Sequence, residues 1–314
     1  MTLLLRETDI NKLLDMDACI SALEAAHLDQ RASLMPRHRL RQPGFILQLM
    51  AASLPSVGFA GFKSYSVAKG GVRFMVALYL IEDGQLACIM EADQLGRTRT
   101  GAASALAARY LAPPGSIRLG LIGTGGQAQT QFMGISRVRR IESARVYGRD
   151  PARRQEFAER MSVATGIKVG AVQTAGEAVA GADVVVTATA AADPVIQERD
   201  LQGVKLIIAM GSNSPVHQEL AVETVAACSL VVVDSLDQAM VECGDLIAAD
   251  RAGQFKWDSA TELTRVVDGS IVATGHDRIL FESQGLALWD VAAAALVYRR
   301  ALEAQMGVLV EGLE

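Results

Sequence analysis

The stretch LGLIGTGGQAQTQF places Gly123, Thr124, Gly125, Gly126, Gln127 and Ala128 in the pattern G-x-G-x-x-G/A. In that pattern the first glycine makes a sharp strand-to-helix turn, and the second lets the backbone approach a pyrophosphate. A small third residue keeps helix and strand close. The helix start adds unpaired N–H groups and the positive end of its dipole. These six residues are therefore candidate dinucleotide-binding residues. A second strand, SARVYGRD, follows where an Asp or Glu would read the ribose 2′-OH of NAD. Gly148 stands at its end and Arg149 comes next. An Arg there can pair with a 2′-phosphate, which favours NADP over NAD. Two other readings stay open: Asp150 turns back to accept a ribose hydroxyl, or Arg149 is a solvated surface residue.

The elements around this turn follow from hydrophobic pattern. After Ser116, the apolar runs RLGLIG, SARVYG, DVVVTAT, KLIIAMG and LVVVD alternate with helical stretches. That alternation predicts an α/β, Rossmann-type doubly wound parallel sheet, with ligands beyond the C-terminal strand ends. Ahead of it, residues 8–33 carry Leu13, Leu14, Cys19, Ile20 and Leu23 at helical spacing. The pieces GFILQLMAAS, FAGFKSYSV and VRFMVALYLIEDGQLACIMEA read as strands of an antiparallel sheet, with a hairpin at Asp83-Gly84. An Ala-rich helix over 97–112 ends at Pro113-Pro114-Gly115, a natural hinge. A last long helix, about 286–305, turns back toward the first part. The expected division is an α+β domain over 1–112, with about 291–314 returning, and a Rossmann domain over 113–290.

Composition excludes several classes. The 314 residues are half hydrophobic, carry a net charge of −5 and contain no long basic run. Nucleic-acid and anionic-membrane partners are not expected, because both need clustered Lys and Arg. No apolar stretch reaches the roughly 18–20 residues of a membrane span. The first 20 residues contain acids and lack the charged-then-apolar order of a signal peptide. The four cysteines, Cys19, Cys88, Cys228 and Cys243, show no CxxC spacing and read as reduced thiols of a cytoplasmic protein. The four histidines are scattered, and no metal site is expected.

Both halves together resemble the ornithine cyclodeaminase/μ-crystallin family over nearly the whole chain. The stretches that carry the resemblance are GFKSY, GRTRTGAASALAARYLA, GLIGTGGQAQTQ, VVTATAAADPVI, MGSNSPVHQEL, VVVDSLDQAMVECGDL and FESQGLALWD. The resemblance implies a homodimer whose first domains bind substrate and pair their sheets. It also implies NAD(P) presented to a cleft, where an Arg, a Lys and a second Arg hold a substrate carboxylate. It places these at Arg37, Lys63 and Arg99, and sets Thr187, Thr189, Ser212 and Asn213 near the ribose and nicotinamide. Asp290 faces the nicotinamide side, or is a helix-start charge complementing the dipole. The chemistry of the residues agrees. A buried carboxylate needs matched cations, which Arg supplies with two parallel N–H bonds. A Lys between apolar strand neighbours can have a lowered pKa and trade protons.

Departures from the family pattern bear on activity. Gln48 stands where the cyclodeaminases have a Glu, and Ala51 replaces a Pro. A neutral amide cannot act as a base or pair with an ammonium as a carboxylate does. Glu223 is the match for a second cyclodeaminase acid, Arg97 is an added cation, and His276 stands where an Arg is common. The expected function is an NAD(P)H-dependent reductase of a small α-imino acid, a ketimine reductase or amino acid dehydrogenase. The alternatives are an ornithine- or lysine-type cyclodeaminase with bound NAD, and a non-catalytic NADPH-dependent small-ligand binder.

Overall fold

A computed structural model describes residues 1–312. In chain order its elements begin β1 (Thr2–Leu5), α1 (Glu7–Leu13), α2 (Met16–His27), β2 (Ser33–Gln42), β3 (Phe45–Leu54), β4 (Phe59–Ala68), β5 (Gly71–Leu80), β6 (Leu86–Glu91) and α3 (Asp93–Leu111). They continue β7 (Ile117–Ile122), α4 (Gly126–Val138), β8 (Ile141–Tyr147), α5 (Pro151–Thr165), β9 (Val169–Ala171), α6 (Ala175–Val179), β10 (Val184–Thr187), β11 (Leu206–Ala209), α7 (Val222–Ala226) and β12 (Leu230–Val233). The last are α8 (Leu236–Glu242), α9 (Gly244–Arg251), β13 (Ala260–Glu262), α10 (Leu263–Val267), β14 (Ile279–Glu282), α11 (Ala287–Glu303) and β15 (Val308–Val310).

The chain divides into two compact units, Met1–Ala103 with the chain from Gly285 onward, and Ser104–Gln284. The division falls inside α3 rather than at Pro113. The second half of α3 packs within the second unit, where Arg139 donates to the carbonyls of Ala108, Arg109 and Ala112. The return starts at Gly285, before 291, because α11 packs from its first turns across β3, β4 and β5 and against α2.

The first unit holds a seven-stranded sheet in the order β15-β1-β6-β5-β4-β3-β2. Strands β2 to β6 are antiparallel, as the alternating runs and the Asp83-Gly84 turn predict. The short TLLL run adds β1 parallel to β6, so the sheet is mixed. The predicted 8–33 helix breaks in two, because Asp15 leaves α1 and caps α2 by accepting from the Ala18 N–H at 2.8 Å. On α11 the alanines 292–295 let the helix sit close on the sheet. Trp289 pins it to α2 by donating from Nε1 to Nε2 of His27 at 2.9 Å. Burial pushes the His27 pKa down to about 4, so the imidazole is neutral and can accept.

The second unit holds an eight-stranded parallel sheet, β13-β12-β14-β11-β10-β7-β8-β9. Its central strands are fully buried Val, Ile and Leu runs, as a sheet covered on both faces requires. From β7 the chain proceeds one way through β8 and β9, and the other way through β10 and β11. The topological switch point therefore lies between β7 and β10, beyond the fingerprint strand. Strand β14, from the run ILFE, was not anticipated and inserts between β11 and β12.

Candidate functional site

In the first unit, β2, β4, α3 and α11 bring the predicted cations together. Lys63 projects from the middle of β4 and is 4% exposed, and Arg99 projects from α3 and is 5% exposed. Both donate to one oxygen of fully buried Asp290: Lys63 Nζ at 3.0 Å and Arg99 Nε at 2.9 Å to Oδ1. Asp290 Oδ2 accepts no hydrogen bond from the described residues. Arg37, on β2, donates from Nη2 to the Gly285 carbonyl at 3.3 Å and lies against the Met50 sulfur. Gly285 has φ +87°, and a Cβ there would come within 2.8 Å of Arg99 Nη1 and 3.5 Å of Arg37 Nη2. The two guanidiniums thus flank a position that only glycine fills. Asp290 lies in the first turn of α11, fully buried, and is the counter-ion of Lys63 and Arg99.

Burial, and then the neighbouring Arg99 charge, push the Lys63 pKa down to about 8, while Asp290 opposes the shift. The ammonium lies 5.3 Å from the Phe74 ring centroid and 5.9 Å from that of Tyr65. A cation with a pKa near neutrality, walled by aromatic rings, can hold an anion and also give up a proton.

In the second unit the fingerprint has the geometry its sequence predicts. Gly123 has φ +122°, and a Cβ there would strike the Ala188 carbonyl oxygen at 2.5 Å. Gly125 precedes α4 without a side-chain cap, no acid stands in the first turn, and the space beside its Cα is open. Ala128 is buried against the sheet. Unpaired N–H groups facing open space beside the switch point fit a pyrophosphate. At the end of β8, a Cβ on Gly148 would sit 2.7 Å from the Thr124 side chain, so no acid can occupy that position. Arg149 is exposed. The Asp150 carboxylate caps α5, accepting from the N–H groups of Ala152 at 2.9 Å and Arg153 at 3.1 Å. That bond set competes with a swing toward a ribose hydroxyl.

Two of the residues expected at the cofactor edge spend their hydroxyls on protein partners. Thr187 is fully buried and donates its hydroxyl to Glu219 Oε2 at 2.8 Å. Ser212 is also buried, donating to the His217 carbonyl and accepting from the Asp245 N–H. Both hydroxyls hold loops in place. Thr189 and Asn213 lie on those loops, where the Thr189 N–H and hydroxyl both donate to Glu219 Oε1 at 2.6 Å. Glu219, which the sequence reading passed over, also accepts from the Gly211 N–H at 2.6 Å. It ties the loop after β10 to the loop after β11. Glu223, the candidate second acid, is exposed on α7, and Arg97 is paired with Asp93 at 2.7 Å on the surface of α3. Beside Glu219 are two more buried acids. Burial pushes the Asp245 pKa up to about 7 and raises that of Glu282 well above the carboxylate range.

The sequence model of the Ornithine cyclodeaminase/mu-crystallin family matches residues 1–305. The chain belongs to this family. Family relatives include Δ1-pyrroline-2-carboxylate reductase of Bacillus cereus, 34% identical over 248 residues, 78% of this chain and 76% of that protein. The structure of Δ1-pyrroline-2-carboxylate reductase from Thermococcus litoralis, in complex with NADH and L-proline, superposes with a TM-score of 0.93 at 32% identity. That match covers 98% of this chain and all of the other. The iminosuccinate reductase of Paracoccus denitrificans, in complex with NAD+, gives a TM-score of 0.91 at 25% identity, over 97% of each chain.

Proposed function

We propose that the protein is an NAD(P)H-dependent reductase of a small α-imino acid, acting as a ketimine reductase or amino acid dehydrogenase. The observation that carries this reading is the gathering of Lys63 and Arg99 on buried Asp290, with Arg37 beside them at the Gly285 carbonyl. Cations gathered on a buried face are matched by a substrate carboxylate. Relatives of this family reduce C=N bonds next to a carboxylate, as their names state.

Reduced nicotinamide, when bound, supplies a hydride to the imine carbon while the C=N π pair moves to nitrogen, which takes up one proton. Arg37, Lys63 and Arg99 hold the carboxylate and so fix the imine carbon. Lys63, protonated at neutral pH but close to its pKa, delivers the proton directly or through water. Asp290 positions Lys63 and Arg99 and keeps the lysine charged. The backbone of Gly125, Gly126 and Gln127 receives the pyrophosphate, with Gly123, Thr124 and Ala128 shaping the turn. The loops carrying Thr189 and Asn213 face the ribose and nicotinamide, held by Glu219. Arg149 receives the 2′-phosphate of NADP, the favoured cofactor. Gly148 offers no acid to read a 2′-OH, and NAD is the weaker alternative.

The sheet face opposite Lys63 exposes Met35, Leu40, Phe45 and Leu49, and Leu40 is 70% accessible. An exposed apolar sheet face of this kind suits pairing with a second copy, and a homodimer is proposed. All four cysteines are free thiols, which suits a cytoplasmic location.

The test is oxidation of NADPH and NADH in the presence of an imine panel: pyruvate or oxaloacetate with ammonia, pyrroline-2-carboxylate and piperideine-2-carboxylate. Turnover is expected, and it should be lost in Lys63→Ala and Arg99→Ala. Failure of every imine despite bound cofactor overturns the reading. Ammonia release from ornithine or lysine without net cofactor change would instead establish a cyclodeaminase.

A further inference from the structure

We infer that Glu282 is a positioning residue for the cofactor: as a neutral acid it donates to Asp245 and completes a chain of buried contacts that ends at the fingerprint glycine Gly123. The inference rests on the nicotinamide-cofactor reading and extends it to residues behind the cofactor edge.

The contacts can be followed from the fingerprint inward. A Cβ on Gly123 would strike the Ala188 carbonyl oxygen, so the backbone at 188 is the wall against which the phosphate turn is built. Ala188 lies between Thr187 and Thr189, and both neighbours donate to Glu219. Thr187 does so through its hydroxyl at 2.8 Å, and Thr189 through its N–H and its hydroxyl, each at 2.6 Å. The same carboxylate accepts the Gly211 N–H at 2.6 Å. The two loops interlock there, because a Cβ on Gly211 would overlap the Thr189 carbonyl oxygen and come within 2.6 Å of Glu219 Cδ. Glu219 is held from behind by Asp245, in the first turn of α9. Asp245 Oδ1 accepts from the Glu219 N–H at 2.9 Å and the Leu220 N–H at 3.1 Å.

Glu282 closes the chain. It is fully buried at the end of β14, between Ala209 of β11 and Val233 of β12. Neither of its carboxyl oxygens, nor Asp245 Oδ2, accepts from an N–H or O–H of the described residues. Bare buried acceptors are costly, and two carboxylates in contact are costlier. One proton between Glu282 and Asp245 removes both penalties. Burial is the main reason that both pKa values rise. The hydrogen bond between the two acids then raises Glu282 further and opposes the rise at Asp245, so the proton resides on Glu282 and Asp245 accepts. The other groups acting on Glu282 are Glu219 and the Cys243 thiol, and no cation is among them. For packing alone an apolar side chain would serve as well. What Glu282 adds is a donor for the second Asp245 oxygen, which keeps that carboxylate aimed at the Glu219 backbone.

The experiment measures NADPH affinity of the full chain by nicotinamide fluorescence near neutral pH, together with steady-state kinetics. Glu282→Gln keeps a donor for Asp245 and should bind NADPH as the parent does. Glu282→Leu removes the donor and should weaken NADPH binding roughly 10-fold, the worth of a hydrogen bond to a charged group. KM for NADPH should rise with it, while kcat and KM for the imine change little. Glu282→Asp, one methylene short of its partner, should behave like the Leu variant and guards against a Leu variant that does not fold. The infrared spectrum of the parent should also show a protonated-carboxyl C=O band that is missing from Glu282→Gln. Unchanged affinity in both the Leu and Asp variants, a Gln variant as weak as they are, or absence of the band overturns the inference and leaves the cofactor reading standing. A parent that binds neither NADPH nor NADH would overturn the cofactor reading itself, and this inference with it.

Discussion

Lys63 and Asp290, 227 residues apart in sequence, meet through a 3.0 Å hydrogen bond inside the first unit. The pair sets the acid–base character of the site. Burial and Arg99 hold the Lys63 pKa near 8, and an activity that needs the ammonium should fall as pH rises through that value. The pH profile of kcat/KM should show this basic limb. Lys63→Ala should lose roughly 100- to 10,000-fold, the range of a positioned general acid. A flat profile to pH 9.5 would remove Lys63 from the proton transfer.

Replacing Asp290 should move that limb in a definite direction. The carboxylate is the group that raises the Lys63 pKa, so Asp290→Asn should shift the limb below pH 8. Activity should also fall about 100-fold, because two cations lose their shared anchor. Asp290→Ala should in addition destabilise the fold by about 3 kcal/mol, the cost of breaking one side of a buried ion pair. A limb that stays in place in the Asn variant would mean that Asp290 serves packing alone.

Cofactor choice tests Arg149. With NADPH, Arg149→Ala should raise KM about 10- to 100-fold, the loss of a charge-assisted phosphate contact, while KM for NADH changes little. Equal effects on both cofactors, or none, would place the 2′-phosphate elsewhere.

The buried acids of the second unit predict a stability profile. Asp245 has its folded pKa raised from 3.8 to about 7, and Glu282 titrates higher still than an ordinary carboxyl. A raised carboxyl pKa means that the folded chain keeps a proton the unfolded chain has released. The stability it contributes is complete below about pH 4 and is lost as pH rises through about 7. Glu282→Gln removes one of these acids. The variant should therefore gain Tm relative to the parent as pH increases from 6 to 9, by a few degrees. A constant difference across that range would show that the acids do not titrate there.

Much of this architecture is legible in the sequence. The fingerprint, the central parallel strands and the antiparallel strands around Lys63 follow local rules of period and turn chemistry, which a sequence displays directly. The failures share a cause. Strand β1 is four residues long, and its place beside β6 depends on a partner more than 80 positions away. Glu219 sits in SNSPVHQEL, a stretch whose composition reads as exposed loop, and its burial comes from two strand ends converging on it. The protein partners of the Thr187 and Ser212 hydroxyls are not legible, because a hydroxyl that grips a neighbouring loop and one that faces a ligand look alike in sequence. Asp290 was recognised as important, but its partners lie on β4 and α3, and neither is local to the helix that carries it.

Gly285 bears on the proposed anion site by what it lacks. Two guanidiniums lie at the spot where any other residue would carry its first side-chain carbon, so the proposed carboxylate site depends on this residue having no side chain. Drift at this position has nowhere to go: even alanine, the mildest change the genetic code offers there, would be strained at φ +87° and press on the Arg99 guanidinium. A survey of tolerated substitutions should therefore find this uncharged position as intolerant as the charged ones beside it.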